Sequence, residues 1–289
     1  MSHRANYVCV PPRGFARGFL PVLGLATFLM GWLIVTELQI VNPAFLPGPA
    51  ATAGAFVEMF RDAPSMVPDK VTGELRDVAG WWDTFKHSSI SSGTSASVQR
   101  IVMAVFWACV IGLPIGILMG AFGRVEAFFG ALLPPLRNAP ITAFIPLFLL
   151  IYGVEERLKV NFLAFGTMVY IIPVAFDAVR NVRSEYIEKA ADLGLSRIEA
   201  LWYFVLPAAL PRLFDGIRIC TGIAWTYIVA AEVVNITTGL GAIIESARRM
   251  QAQTPRVYAG IMVIMALGVL TDFLFKLAQR HPMLQEEAL

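Results

Sequence analysis

The sequence has little charge for its length, and that shortage excludes an ordinary soluble protein. Aspartate, glutamate, lysine and arginine make up 15% of the 289 residues, whereas about a quarter of an average soluble domain is charged. Hydrophobic residues make up 57%, and the mean hydropathy is +0.65. The charges lie in clusters between long neutral stretches, so lipid is the expected solvent. The net charge of +2 gives no reason to expect a nucleic-acid partner.

The sequence also lacks the short motifs of common enzyme and metal sites. No glycine is followed by a lysine, which excludes the GxxxxGK phosphate loop and ATP hydrolysis by that route. Neither an HExxH nor a GxSxG motif occurs. The three cysteines form no CxxC pair, and Cys109 and Cys220, which lie in apolar runs, are interpreted as small buried side chains. We therefore expect no catalytic residue, no cofactor and no metal.

Long neutral runs predict about six membrane-spanning helices and an all-α, polytopic helical bundle. A bilayer core needs about 20 mainly apolar residues per helix. The neutral runs are 18–36, 101–123, 138–154, 160–176, 219–231 and 257–271. The last two reach full length only if Arg218, Glu232 and Asp272 lie near their ends.

The distribution of charge favours a cytoplasmic N-terminus and C-terminus, because the segments that would then lie inside carry slightly more lysine and arginine. The predicted parts are an N-terminal tail (1–17), one transmembrane domain (18–279) with a periplasmic excursion (42–100) and a cytoplasmic loop (180–212), and a C-terminal tail (280–289). The basic start could also be a cleaved signal peptide. The apolar run after Arg17 is longer than the usual 7 to 15 residues or so of such a peptide, which favours a retained helix.

The predicted cytoplasmic loop carries the start and stop signals of two short helices. Ser184 is expected to cap the first helix, and Gly194 is the left-handed residue expected to end it. Ser196 and Glu199 have the spacing of a capping box that begins the second helix. Pro207 is expected to interrupt that helix. Together these signals predict a compact helix-turn-helix that faces the cytoplasm.

This loop resembles the EAA loop of ABC importer permeases, whose pattern is Glu-Ala-Ala, three residues, Gly, nine residues, Ile, one residue, Leu-Pro. The corresponding residues here are Glu188, Lys189, Ala190, Gly194, Phe204, Leu206 and Pro207. The spacing matches throughout. Lys189 replaces the middle alanine, and Phe204 replaces the isoleucine.

Shorter stretches resemble the branch of this family that imports nitrate, bicarbonate, taurine and other sulfonates. They are the LPGP sequence at 46–49, GLPIG at 112–116, LRNAP at 136–140 and AAE at 230–232. The resemblance implies a type I ABC importer permease (MetI-like) fold in the bacterial inner membrane. It also implies a translocation path for a small, anionic solute, which the sequence does not name.

The resemblance further implies the partners: separate ABC ATPase subunits, a periplasmic substrate-binding protein and a second copy of the permease. The loop would dock on the ATPase, with Glu188, Lys189 and Arg197 meeting partner charges and Leu195 filling a pocket. Two other functions remain open. A secondary transporter or channel would move solute without an ATPase, and a membrane enzyme of unrecognised type would need a site that the known motifs do not reveal.

Glycines and ionisable residues within the spans complete the candidate residues. Gly112, Gly116 and Gly120 recur every four residues and predict a face where a neighbouring helix packs closely. Arg137 lies in a proline-rich stretch and could help an anion to pass, pair with a carboxylate or mark a helix start. Glu232 could have a structural partner, or a role in gating or in the path.

Asp177 and Asp272 lie close to the predicted cytoplasmic ends of their spans. From there each carboxylate reaches the water of the headgroup region, so we interpret both residues as structural. Neither is a candidate for the path.

Overall fold

The computed structural model describes residues 15–64, 66–68, 75–78, 80–250 and 253–280. Most of the described chain is helical. The helices are α1 (Phe15–Glu37), α2 (Pro49–Arg61), α3 (Gly80–His87), α4 (Ser89–Ala121), α5 (Gly123–Phe129), α6 (Leu133–Asn138), α7 (Ile145–Tyr152), α8 (Glu156–Arg180), α9 (Ser184–Asp192), α10 (Arg197–Ala200), α11 (Leu206–Val233), α12 (Leu240–Arg249) and α13 (Thr254–Ala278). Most of the predicted N-terminal tail, and the C-terminal tail beyond residue 280, lie outside the described residues.

Five helical stretches in the described part of the chain are long and apolar enough to cross a bilayer. They are Phe19–Glu37, Ser89–Ala121, Glu156–Arg180, Arg197–Val233 and Thr254–Ala278. They correspond to five of the six predicted spans, so the predicted helical membrane bundle is confirmed.

The remaining predicted span, 138–154, is a broken helix. After α6 the chain forms a 3-10 turn (Ile141–Phe144) and then α7, so its apolar helical part is only Ile141–Tyr152. Pro140 lies at the N-cap of the 3-10 turn and Pro146 in the first turn of α7, positions at which a residue without an N–H group breaks no helical hydrogen bond.

The last part of the predicted excursion, 42–100, is helical. α4 begins at Ser89, with the Ser88 side chain accepting from the N–H of Ser91. Within the helix, the Ser92 and Ser95 hydroxyls donate to carbonyls three residues earlier. This local bonding satisfies the hydroxyls and allows a serine-rich stretch to be helical.

Other described residues of the predicted excursion form short elements. They are α2, α3 and a short antiparallel ribbon of β1 (Met66–Pro68) and β2 (Leu75–Asp77), in which Val67 lies opposite Arg76. Trp81 and Trp82 of α3 are exposed, as expected for rings at a membrane interface.

The core of the bundle lies where α4, α8 and α11 meet. Its buried side chains include Ala104, Phe162 and Ile228. A β-carbon added to Gly112 would lie 3.1 Å from the Ile171 side chain, and one added to Gly120 would lie 2.8 Å from Val179. Glycine therefore permits the close approach of α4 and α8. By contrast, α1 and most of α13 expose their apolar side chains, as helices that face lipid do.

Candidate functional site

The predicted cytoplasmic loop is a rigid turn between two helices. α9 begins at Ser184, with Arg183 at the N-cap position and no side-chain cap, so the predicted cap by Ser184 was wrong. Gly194 has φ of +71°, and its N–H donates to the carbonyl of Ala191 at 2.9 Å. The next N–H, of Leu195, donates to Ala190 at 3.1 Å. These bonds end α9 in the left-handed conformation that favours glycine.

The second helix of the loop begins with the predicted capping box and continues without a break into α11. The Ser196 side chain accepts from the N–H of Glu199, and the Glu199 side chain accepts from the N–H of Ser196. The expected interruption at Pro207 was wrong. A π-helical segment, Leu201–Val205, joins α10 to α11, with the N–H of Leu206 donating to the carbonyl of Leu201. This wider turn carries the helix through a proline that cannot donate.

The loop exposes apolar side chains beside its charged ones. We call the following exposed residues the coupling surface: Ile187, Glu188, Lys189, Leu193, Arg197, Ile198, Trp202 and Tyr203. Ile198 is 61% exposed and Leu193 is 68% exposed. Clustered exposed apolar residues rimmed by charge are typical of a protein interface.

The other predicted loop residues hold this surface in place. Ala190 is fully buried, and Leu195, Leu206 and Pro207 are half-buried. Val205 and Leu206 pack against a buried cluster formed by α8 and α11. Arg212 of α11 also donates to the carbonyl of Asn181, at 2.9 Å, directly after α8. The coupling surface is thus fixed to two of the spans.

Arg137 and Glu232 do not share a site. Arg137 is exposed in the last turn of α6 and forms no hydrogen bond or ion pair with any residue that the structure describes. Glu232, near the end of α11, is fully buried. Its Oε1 atom accepts from Arg100 Nη1 at 2.6 Å and from Ser97 Oγ at 2.7 Å, and its Oε2 atom accepts from the N–H of Gly241 at 2.7 Å.

Arg100 extends this contact into a network at the end of the bundle opposite the coupling surface. Its guanidinium group forms two bonds to the Glu156 carboxylate, at 2.7 and 2.8 Å, and two more to the carbonyl and hydroxyl of Thr238. Lys159, itself fully buried, donates to Glu156 at 2.9 Å and to Thr237 at 3.2 Å. We call Arg100, Glu156, Lys159 and Glu232, with Thr237 and Thr238, the outer charge network.

The outer charge network is neutral and well satisfied. Its two cations, Arg100 and Lys159, balance the carboxylates of Glu156 and Glu232. No buried side-chain nitrogen or oxygen in the described ranges lacks a hydrogen-bond partner, so the cost of burying these charges is offset. The network joins α4, α8 and α11 to the segment that leads into α12, and this contact favours the structural interpretation of Glu232.

Gly239 is required by the same network. It has φ of +116°, and a β-carbon at this position would clash with the Glu232 carboxylate. An L-residue here would be strained by its backbone and would also displace the buried acid.

The sequence alone did not reveal Ser97 and Arg100 as partners of Glu232. It also did not reveal that Glu156 and Lys159 belong to the same network. Arg100, Glu156 and Lys159 each lie next to a predicted span and resemble ordinary flanking charges. A usable signal was the i, i+3 spacing of Glu156 and Lys159, which places opposite charges on one helix face. That spacing does not identify Arg100.

A second ion-pair cluster joins α11 to α13, away from the outer charge network. Arg218 donates to Asp272 at 2.7 Å and also bonds Asp215, and Lys276 pairs with Asp272 at 2.7 Å. Asp177, by comparison, is exposed. Asp272 is therefore held by neighbouring cations, as expected of a structural residue near the end of a span.

Comparison with known proteins identifies the family. A family profile described as "Binding-protein-dependent transport system inner membrane component" matches residues 112–282. The chain belongs to this family. The predicted recognition as an ABC importer permease of the nitrate, sulfonate, taurine and bicarbonate branch is confirmed, and so is the expectation of a transport component that is not an enzyme. The family is one of multi-pass inner-membrane proteins.

Named relatives of this permease cover most of its length. It is 32% identical to the taurine transport system permease protein TauC of Escherichia coli (strain K12), over 89% of this chain and 86% of the relative. It is 31% identical to the putative aliphatic sulfonates transport permease protein SsuC of Bacillus subtilis (strain 168), over 88% and 83%. It is 30% identical to the bicarbonate transport system permease protein CmpB of Synechococcus elongatus, over 88% and 85%.

Solved structures show the same fold. The permease resembles a chain of the MetNI methionine ABC transporter in an inward-facing conformation, with a TM-score of 0.60 and 20% identity. The match covers 66% of this permease and 94% of that chain. This likeness supports the expected MetI-like fold.

Proposed function

We propose that this chain is the membrane-spanning permease subunit of an ATP-driven importer for a small anionic solute of the taurine, sulfonate, nitrate or bicarbonate class. Membership of the permease family and the names of the taurine, sulfonate and bicarbonate relatives support this proposal. The single observation that carries the mechanism is the coupling surface, an exposed apolar and charged face fixed to the base of a span.

The coupling surface is the docking site of a separate ABC ATPase. The sequence has no GxxxxGK loop of its own, so mechanical work must come from a partner. Glu188, Lys189 and Arg197 offer exposed charges of both signs, and Leu193 and Ile198 offer exposed apolar area. Complementary charge selects a partner and its orientation, whereas buried apolar area supplies much of the affinity.

Movement of the ATPase reaches the membrane through α11. Since α10, the π-helical segment and α11 form one continuous helix, displacement of the coupling surface tilts the span itself. The ATPase thereby biases inward-facing against outward-facing states, which is what alternating access requires. Both termini lie in the cytoplasm, a periplasmic binding protein delivers the solute, and two copies of the permease form the path.

Association with the ATPase tests the proposal. Purified permease carrying Gly194→Val should lose most of its binding to its partner ABC ATPase, because valine is strongly disfavoured at positive φ and the turn would rearrange. Gly153→Val is the matched control. Gly153 has a similar φ of +64° and, like Gly194, has open space around it, but it ends α7, outside the coupling loop.

Transport in proteoliposomes completes the test. With the binding protein and the ATPase present, labelled taurine should accumulate only with ATP, and nitrate or bicarbonate should compete if the permease accepts them. Retention of ATPase binding and transport by the Gly194→Val, Glu188→Arg double variant would refute the docking role. Uptake by the permease without any ATPase would instead identify a secondary transporter or channel.

A further inference from the structure

A small polar cavity lies beside the outer charge network. Its volume is about 290 Å³, and it is bounded by the first turns of α4, the segment 236–239 and α12. Five hydroxyl-bearing residues line it: Ser89, Ser92, Thr237, Thr238 and Ser246. Pockets for drug-sized ligands have volumes of about 300–1,000 Å³, so this one suits a solute of a few heavy atoms.

Three of the five hydroxyl groups already donate their hydrogens within the protein. Ser89 donates to the Asp62 carboxylate at 2.7 Å. Ser92 donates to the carbonyl of Ser89 at 3.1 Å, and Ser246 donates to the carbonyl of Ile243 at 2.9 Å. These serines therefore have no hydrogen left for a ligand.

The two threonine hydroxyls differ because they accept from cations. Thr238 Oγ1 accepts from Arg100 Nη2 at 2.7 Å, and Thr237 Oγ1 accepts from Lys159 Nζ at 3.2 Å. Arginine and lysine side chains only donate, so each threonine keeps its own hydrogen. Neither hydroxyl donates to any other residue in the described part of the protein. Each cation polarises the hydroxyl that it contacts and strengthens it as a donor.

We infer that this cavity binds the oxyanion group of a small solute, with the hydroxyls of Thr237 and Thr238 as its donors. The inference rests on the proposed function, because it places a contact for the anionic solute at the outer end of the bundle. Arg100 and Lys159 hold the donors but are themselves neutralised by Glu156 and Glu232. Binding is accordingly weak, as suits a site from which a transported solute must leave again.

The test is direct binding of a small sulfonate to the purified, full-length permease in detergent, without ATPase. The probe is trifluoromethanesulfonate, followed by fluorine NMR line broadening, which detects weak binding; trifluoroethanol is the uncharged control probe. The Thr237→Val, Thr238→Val double variant should weaken binding at least tenfold, since each lost bond to an anion corresponds to roughly tenfold or more in affinity. Thr84→Val in α3, which removes an exposed hydroxyl bonded to Gly80, should leave binding unchanged.

Two further measurements separate loss of the site from loss of the fold. Thr238→Ser, made in the Thr237→Val background, restores one donor and should recover part of the affinity. If the double variant unfolds, this serine variant alone decides the question: affinity equal to that of wild type would overturn the inference. Unbroadened probe with the wild-type permease would also overturn it, and ATP-driven transport could still succeed. Probe binding without transport would count against the proposed function only.

Discussion

Removal of the Arg100 side chain tests how much the outer charge network stabilises the bundle. The change is Arg100→Met, which keeps an unbranched apolar stem and deletes the guanidinium group. Arg100 is 5% exposed and Glu232 is 0% exposed, so the variant leaves a buried carboxylate that retains only the Ser97 hydroxyl and the Gly241 N–H. The Thr238 carbonyl also loses its charged donor.

The expected loss of stability is large. Breaking a buried ion pair by removing one partner costs about 3–5 kcal/mol, because the remaining charge is left without compensation in a medium of low polarity. The exposed pair of Arg180 and Glu126, whose side chains are 56% and 36% exposed, is the natural comparison. Such surface pairs contribute about 0–1 kcal/mol. Arg180→Met should therefore have a several-fold smaller effect than Arg100→Met.

Thermal unfolding in detergent micelles measures this difference. A fluorogenic thiol reagent reports unfolding because Cys220 is fully buried and is released when the helices separate. The measurement uses a Cys9→Ser, Cys109→Ser background, so that neither the thiol in the N-terminal tail nor the half-buried thiol of Cys109 contributes. A loss of 3–5 kcal/mol corresponds to a fall in midpoint on the order of 10 °C.

Two results would refute the reasoning. One is an Arg100→Met midpoint no lower than that of Arg180→Met. The other is strict additivity when Arg100→Met is combined with Glu232→Leu. Groups in direct contact are expected to couple, and removal of both charges should be less damaging than the sum of the two single changes.

Two other predictions concern packing and acid. Gly116→Val should lower the unfolding midpoint by an amount that corresponds to at least about 1–3 kcal/mol, because a side chain at this position of α4 overlaps α8. Gly268→Val in α13, with open space around it, is the control. Equal midpoints for the two variants would contradict the packing role. In α12, Arg248 and Arg249 lower the pKa of Glu245 to about 2, whereas an unperturbed glutamate has a pKa of about 4.3. A pKa that is lower in the folded state stabilises the fold at pH values above the unfolded-state pKa, so this contribution should disappear as the pH falls from about 4.3 through 2. Glu245→Gln should flatten the curve of unfolding midpoint against pH in that range. Parallel curves for the variant and the wild type would contradict the assignment.

Local signals in the sequence predicted the local structure of the coupling loop. Gly194 has the positive φ expected of it, and Ser196 and Glu199 form the expected capping box. These features depend on residues within four positions of one another, so composition and spacing are enough. The apolar runs likewise predicted the spans because a bilayer imposes their length.

Rules based on single residues failed where the surroundings offered another partner. Pro207 has no N–H to donate, but the π-helical segment before it changes the hydrogen-bond pattern, and the helix continues. The pairing of Arg100 with Glu232 joins residues 132 positions apart in the chain. No periodicity connects such positions, and only the packing of α4 beside α11 brings them together. The outer charge network and the cavity beside it therefore required the structure.

The unbroken helix from Arg197 to Val233, 37 residues long, also limits how the chain can vary in length. Each residue added to an α-helix turns one end against the other by about 100° and lengthens it by about 1.5 Å. A one-residue insertion between Pro211 and Glu232 would thus rotate the coupling surface relative to the outer charge network, because the ion pairs of that network hold the other end of the helix in place. Changes of length should therefore be excluded from this helix.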